Sequence, residues 1–230
     1  MNKKILLIGL LFVTFLLVGC TYKYVNPDRT TFKEDFESLN SEVNDEGVEY
    51  LMLAIPTDHP YTYTTIDEIN KMLDNKESFI VLFGSNWCPW TRSMINTSIE
   101  KANEHNIEKI YYIDVREDNI ITNDIRDIYS KNEDGVITLS HRGKDSYRLF
   151  VNKLKNILSD YNIDGITLEE TEYENVKGIN TPTFVMVKDG LGVKSISGIS
   201  SLQTDPYMDL NIAIYNDIDK IFDDFFSLYK

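Results

Sequence analysis

The chain has 230 residues, enough for one domain with a substantial core, or for one domain carrying an insertion. Asp and Glu number 37 against 23 Lys and Arg, for a net charge of −14. That balance argues against a nucleic-acid partner, whose phosphates demand a positive surface, and otherwise speaks mainly to solubility.

Lys3 and Lys4 precede an apolar run from Ile5 to Val18. The run falls short of the roughly 20 residues that span a bilayer and reads as a secretory signal over residues 1–19. It ends Leu17-Val18-Gly19-Cys20, which resembles the bacterial lipoprotein signal at every position. The resemblance implies lipidation of Cys20, a short tether over residues 20–30, and an extracytoplasmic protein anchored by lipid to the bacterial cell membrane. Ordinary signal cleavage and an uncleaved anchor are the alternatives. With Cys20 lipidated, Cys88 is the one free thiol of the mature chain. A leftover cysteine in an exported protein points to intermolecular pairing or to a reactive thiol.

Residues 31–60 read as an N-terminal elaboration of the domain that follows, not as a domain of their own. Phe32, Phe36, Leu39 and Val43 have helical spacing, and Thr31 with Glu34 has the pattern of a capping box. Gly47 is placed to end that helix. Val48–Ile55 has strand-like composition, with a helix as the alternative, and Thr57-Asp58-His59-Pro60 reads as a turn. Tyr61–Thr64 is a short β-prone stretch. A second capping box, Thr65 and Glu68, opens a helix on Ile66, Ile69, Met72 and Leu73.

Five apolar residues, Phe79–Phe83, then read as a buried strand, broken at Gly84-Ser85-Asn86. Trp87, Cys88 and Pro89 follow. Proline is favoured at the first helical position because its missing N–H would go unbonded there, so Cys88 is expected at a helix N-cap. The free N–H groups and dipole of a helix start favour negative charge, and the thiolate is the nucleophilic form of cysteine. The helix continues through Met94, Ile95, Ile99 and Ala102. Ile110–Val115 is the next strand and completes a parallel βαβ unit.

Beyond it, Ile121, Ile125, Ile128 and Tyr129 are spaced as one helix, and Phe150, Leu154, Ile157, Leu158 and Tyr161 as a second. Leu168–Glu174 is acidic, either a patch for a basic partner or a solvated face. Ile179-Asn180-Thr181-Pro182 leads into a strand, Thr183–Val187, and Asp189-Gly190 signals a hairpin to Val193–Ile196. Asp205 and Pro206 have the pattern of an N-cap and first helical residue, before an amphipathic run on Leu210, Ile214, Ile218, Ile221 and Phe225.

Trp87-Cys88-Pro89-Trp90, with Thr181-Pro182 ahead of an apolar strand, resembles the thioredoxin-like superfamily. The resemblance covers residues 61–230 and is strongest at 79–92 and 179–187. It implies an α/β thioredoxin-like fold: a central mixed sheet flanked by helices, with a helical insertion over 116–178 before the strand opened by a cis proline, Pro182. Such insertions can cover the active-site face. Two departures stand out. The second cysteine of Cys-x-x-Cys is replaced by Thr91, and the acid that some members place six residues before the first cysteine falls on Leu82.

On this reading Cys88, Thr91 and Pro182 are the catalytic residues, with the Thr91 hydroxyl donating to the thiolate. Trp87, Trp90 and Thr181 form a substrate-binding rim. Arg92 either adds positive potential near the sulfur or is solvated, the second being the expectation. His59, His105 and His141 lack metal-ligand spacing, and the chain carries no phosphate loop or dinucleotide fingerprint, so neither metal nor cofactor is expected. Partners are an exported cysteine-containing protein or a low-molecular-weight thiol, reached through a mixed disulfide that an outside thiol or the partner's own second cysteine must resolve. The competing function is a non-catalytic, chaperone-like accessory lipoprotein, with a faint likeness to proteins tied to peptide or bacteriocin export.

Overall fold

Alternation along one apolar strand organises the molecule. In β2, Phe79–Gly84, every residue is buried. Ile80 and Leu82 point into one hydrophobic cluster, and Phe79, Val81 and Phe83 into another. A strand buried on both faces is the centre of a layered α/β structure. The computed structural model describes residues 27–116, 123–133, 136–163, 166–167 and 177–229. Cys20, the signal, the acidic stretch Leu168–Glu174 and Ile121 lie outside the described residues.

Five strands form the central sheet: β1 (Tyr61–Tyr63), β2, β3 (Ile110–Asp114), β8 (Thr183–Lys188) and β9 (Leu191–Ile196), in the order β1-β3-β2-β8-β9. β3 is parallel to both β1 and β2, whereas β8 is antiparallel to β2 and β9. The mixed sheet is flanked by helices on both faces. α1 (Pro27–Glu37), α3 (Pro89–Glu104) and α5 (Ile212–Ser227) contribute Phe32, Phe36, Met94, Ile95, Ile218 and Phe222 to one cluster. α2 (Ile66–Asp74) and α4 (Asp145–Leu154) contribute Ile69, Leu73, Phe150 and Leu154 to the other. The capping box at Thr65 forms as expected: its hydroxyl accepts from Glu68 N–H, and the Glu68 side chain accepts from Thr65 N–H. The turn at Asp189-Gly190 also forms, with φ of 50° and 75°, left-handed values that glycine tolerates best.

The elaboration before β1 departs from expectation. Among the described residues α1 runs Pro27–Glu37, so Thr31 lies inside it and Gly47 belongs to a later turn. Val48–Ile55 forms no strand beyond a single bridge, Val43 to Glu49. Its backbone is bonded by side chains instead. Asn40 Nδ2 donates to Leu53 O at 2.8 Å, Asn40 Oδ1 accepts from Leu53 N–H at 2.9 Å, and Glu37 accepts from Ile55 N–H at 2.8 Å. Leu53 and Ile55 are nevertheless buried, in the cluster that holds Phe32 and Phe36.

Of the two helices expected in the insertion before β8, the described residues form only the second. Ile128 and Tyr129 lie in β4 (Ile128–Lys131), which pairs with β5 (Ile137–His141) as a hairpin. Then come α4 and a two-residue pair, β6 (Asn162–Ile163) with β7 (Ile166–Thr167). Apolar spacing alone cannot separate a helix from a strand pair over so few residues. α4 also ends at Leu154, short of Ile157 and Leu158; the backbone of β9 at Gly192 lies close against Leu154 and Ile157. Finally, Asp205 makes only a turn, accepting from Tyr207 N–H at 2.9 Å. α5 begins seven residues later, capped by Asn211, whose Oδ1 accepts from Ala213 and Ile214 N–H. An Asp-Pro pair suits a turn as well as a helix start.

Candidate thiol site

β2 delivers the chain to the site, and α3 leaves from it. Cys88 is the N-cap of α3, with φ −74° and ψ 114°, and Pro89 is its first residue. Cys88 O accepts from Arg92 N–H at 3.0 Å, the bond that opens the helix, and Cys88 N–H donates to Ser85 O at 3.2 Å. The sulfur makes no cap bond to the first turn. It faces the neighbouring loop. Thr181 Oγ1 donates to Sγ at 3.5 Å, and Sγ lies 3.6 Å from Thr181 O. The Thr181–Pro182 peptide bond is cis. Two segments 93 residues apart in sequence thus meet at one sulfur, and Cys88 as a residue is 4 % exposed.

Thr91 does not play its expected part. Its side chain is fully buried beside Gly84 and Tyr112, and its Oγ1 has no hydrogen-bond partner among the described residues. The hydroxyl on the sulfur comes from Thr181, next to Pro182. Trp87 and Trp90 flank Cys88 and are both half-buried. The face of Trp87 is occupied by the Arg116 guanidinium, 4.4 Å from the ring centre.

Arg92 is the largest correction. It is 0 % exposed. Its guanidinium donates from Nε and NH2 to Leu51 O at 3.1 and 2.6 Å, from NH1 to Phe36 O at 2.7 Å and Asn86 O at 3.1 Å, and from NH2 to Asn40 Oδ1 at 3.0 Å. Every partner is a neutral acceptor. Burial pushes its pKa down to about 10, still far above neutrality, so the group stays a cation. Thr91, Arg92, Ser93, Met94 and Ile95 are consecutive buried residues of α3, and a cation inside such a run must find acceptors.

Two acids near the site, one half-buried and one buried, were not anticipated. Asp114, at the end of β3, sits opposite Gly84 in the β2–β3 register and accepts from Ser85 Oγ at 2.7 Å and Arg116 N–H at 3.0 Å. Burial pushes its carboxyl up, the two bonds pull it down, and the charges of Asp35 and Asp124 add to the rise. Asp124, with a fully buried side chain, is paired to Arg126 at 2.8 Å and Arg116 at 3.4 Å. Burial alone would raise Asp124, but the Arg126 bonds outweigh it and hold the carboxyl below its ordinary range.

The three histidines are engaged away from the sulfur: His59 with Arg29 O, His105 with Asp223, and His141 with Asp124 O. Among the described residues, no group of three His, Cys, Asp or Glu is placed to hold a metal ion, and no helix is long and apolar enough to cross a membrane. The chain matches no protein-family model and no curated protein.

Proposed function

We propose that this chain is a thioredoxin-like, lipid-anchored extracytoplasmic protein that exchanges disulfides through a single thiol, Cys88. One observation carries the reading: a cysteine at a strand-to-helix N-cap whose sulfur rests on the residue preceding a cis proline. The Cys88 thiolate attacks one sulfur of a partner disulfide. The Cys88–partner S–S bond forms as the partner's own S–S bond breaks, and the departing sulfur leaves with the electron pair and takes a proton from water. With Thr91 in place of a second cysteine, an outside thiol or the partner's other cysteine must release the product. The step needs no net oxidant, which suits isomerisation, deglutathionylation or covalent retention better than dithiol oxidation.

A second reading, a binding module that uses no thiol chemistry, draws on the 4 % exposure of Cys88. One experiment separates the two. The full chain with Cys20→Ala, held in detergent micelles, is incubated with glutathione disulfide and examined by intact mass. A gain of one glutathione, lost in Cys88→Ser, supports exchange. No adduct under native conditions, with full modification once the chain is unfolded in urea, leaves the binding module.

A further inference from the structure

A cleft of about 600 Å³ opens beside the segment that carries Cys88, which itself is not among the described lining residues. Trp87 and Pro89, the two residues flanking the cysteine, form one wall. The opposite wall is the segment before β1, through Asn44, Asp45, Glu46 and Tyr50, with Tyr207 from the loop before α5. Asn44 Nδ2 donates to Tyr207 OH at 2.8 Å and ties these two pieces together. Arg92 fastens the same segment to α3 through Leu51 O and Asn40 Oδ1. The wall is therefore built into the site, not draped over it.

Its charges are lopsided. Arg116 is the only cation among the described lining residues, and it is already engaged by the Trp87 face at 4.4 Å and by Asp124 at 3.4 Å. Asp45 and Glu46 are exposed, and neither carboxylate has a cation partner among the described residues. Among the described residues the cleft thus offers two unpaired carboxylates alongside the ring of Tyr207 and that of Tyr50, which already carries the Arg92 guanidinium 5.5 Å from its centre. Aromatic faces and carboxylates together suit a cationic side chain, and the net charge of −14 steers such a partner toward the protein.

We propose that this cleft seats a lysine or arginine of a basic, cysteine-containing peptide, and so selects cationic partners for Cys88. The proposal deepens the thiol-exchange reading and rests on it for the role of the bound peptide's cysteine. Its test is built to fail separately from that reading. Fluorescein-labelled short peptides without cysteine, one Lys-rich, one Glu-rich and one neutral, are titrated into the full chain carrying Cys20→Ala and Cys88→Ser, in detergent micelles. Two charge pairs at the usual strength of exposed pairs predict that the Lys-rich peptide binds about tenfold more tightly than the neutral one. Salt near 0.5 M, on the order of where screening acts within a few ångströms, should remove most of that preference. Asp45→Asn with Glu46→Gln should abolish it. Glu34→Gln with Glu108→Gln makes the same change in net charge on exposed residues outside the cleft, and should leave it in place. Equal loss in both double variants, or no preference in the parent chain, overturns the proposal whatever the glutathione experiment shows.

Discussion

Replacing Arg92 by methionine tests the description of the site at its most demanding point. The substitution keeps a long apolar stem and removes every donor. Leu51 O, Phe36 O and Asn86 O then lose their buried partner, while Asn40 Oδ1 keeps its bond from Leu53 N–H. At roughly 1.3 kcal/mol for each of the three stranded carbonyls, the loss sums to about 4 kcal/mol. Part is returned, because a guanidinium among neutral acceptors carries a desolvation cost, visible in a pKa pushed down to about 10. The net expectation is a destabilisation of about 2–3 kcal/mol. With a urea dependence near 3 kcal/mol per molar, the unfolding midpoint should fall by roughly 0.7–1 M. The loss should also be local, so limited proteolysis of the folded variant should gain cuts between Ser38 and Leu53. Arg92→Lys should rescue little, because a compact ammonium cannot span acceptors set out for a planar fork. A midpoint within about 0.3 M of the parent chain, with no new cuts, would refute the claim that Arg92 fastens this segment.

Asp114→Asn retains an oxygen that can accept from Ser85 and from Arg116 N–H. The folded pKa of Asp114 is raised above 3.8, so the native state binds its proton more readily and stability declines as pH rises from 3.8 through the folded value. The variant should be more stable than the parent at pH 7, and the difference should vanish below pH 3.8, as read by urea midpoints at several pH values. Thr181→Val removes the hydroxyl that donates to Cys88 Sγ and should slow glutathione adduct formation by about threefold to tenfold, the worth of one hydrogen bond. Thr91→Val removes a buried hydroxyl with no partner; its midpoint should hold or rise, and a clear drop would mean that Thr91 has a partner after all. Thr65→Ala breaks both halves of the capping box on α2 and should cost about 1 kcal/mol by the same denaturation assay.

What local chemistry governs could be read from residues alone. The Phe79–Phe83 run is apolar enough to be buried on both faces. Pro89 fixes where α3 begins and therefore puts Cys88 at its cap. The Thr65–Glu68 box and the Asp189-Gly190 turn are decided within a few residues by hydrogen bonds and by left-handed backbone. Where two local solutions compete at similar energy, the pattern gave way. Thr31–Glu34 lies inside α1, Asp205-Pro206 became a turn, and Ile128-Tyr129 paired as a strand because β5 was there to receive it.

The site's chemistry, unlike its location, depends on contacts between residues far apart in sequence. Nothing near Cys88 in the chain reveals that its sulfur meets the Thr181 hydroxyl and not the Thr91 one, a choice set by how β8 lies beside β2. Likewise, Arg92 on its own reads as a surface cation. It is buried because the segment before β1 folds across α3 and exposes carbonyl groups that no strand partner satisfies. Side-chain periodicity tells which face of an element is apolar, but the identity of the facing element, and so of each polar partner, is fixed only when the layers close.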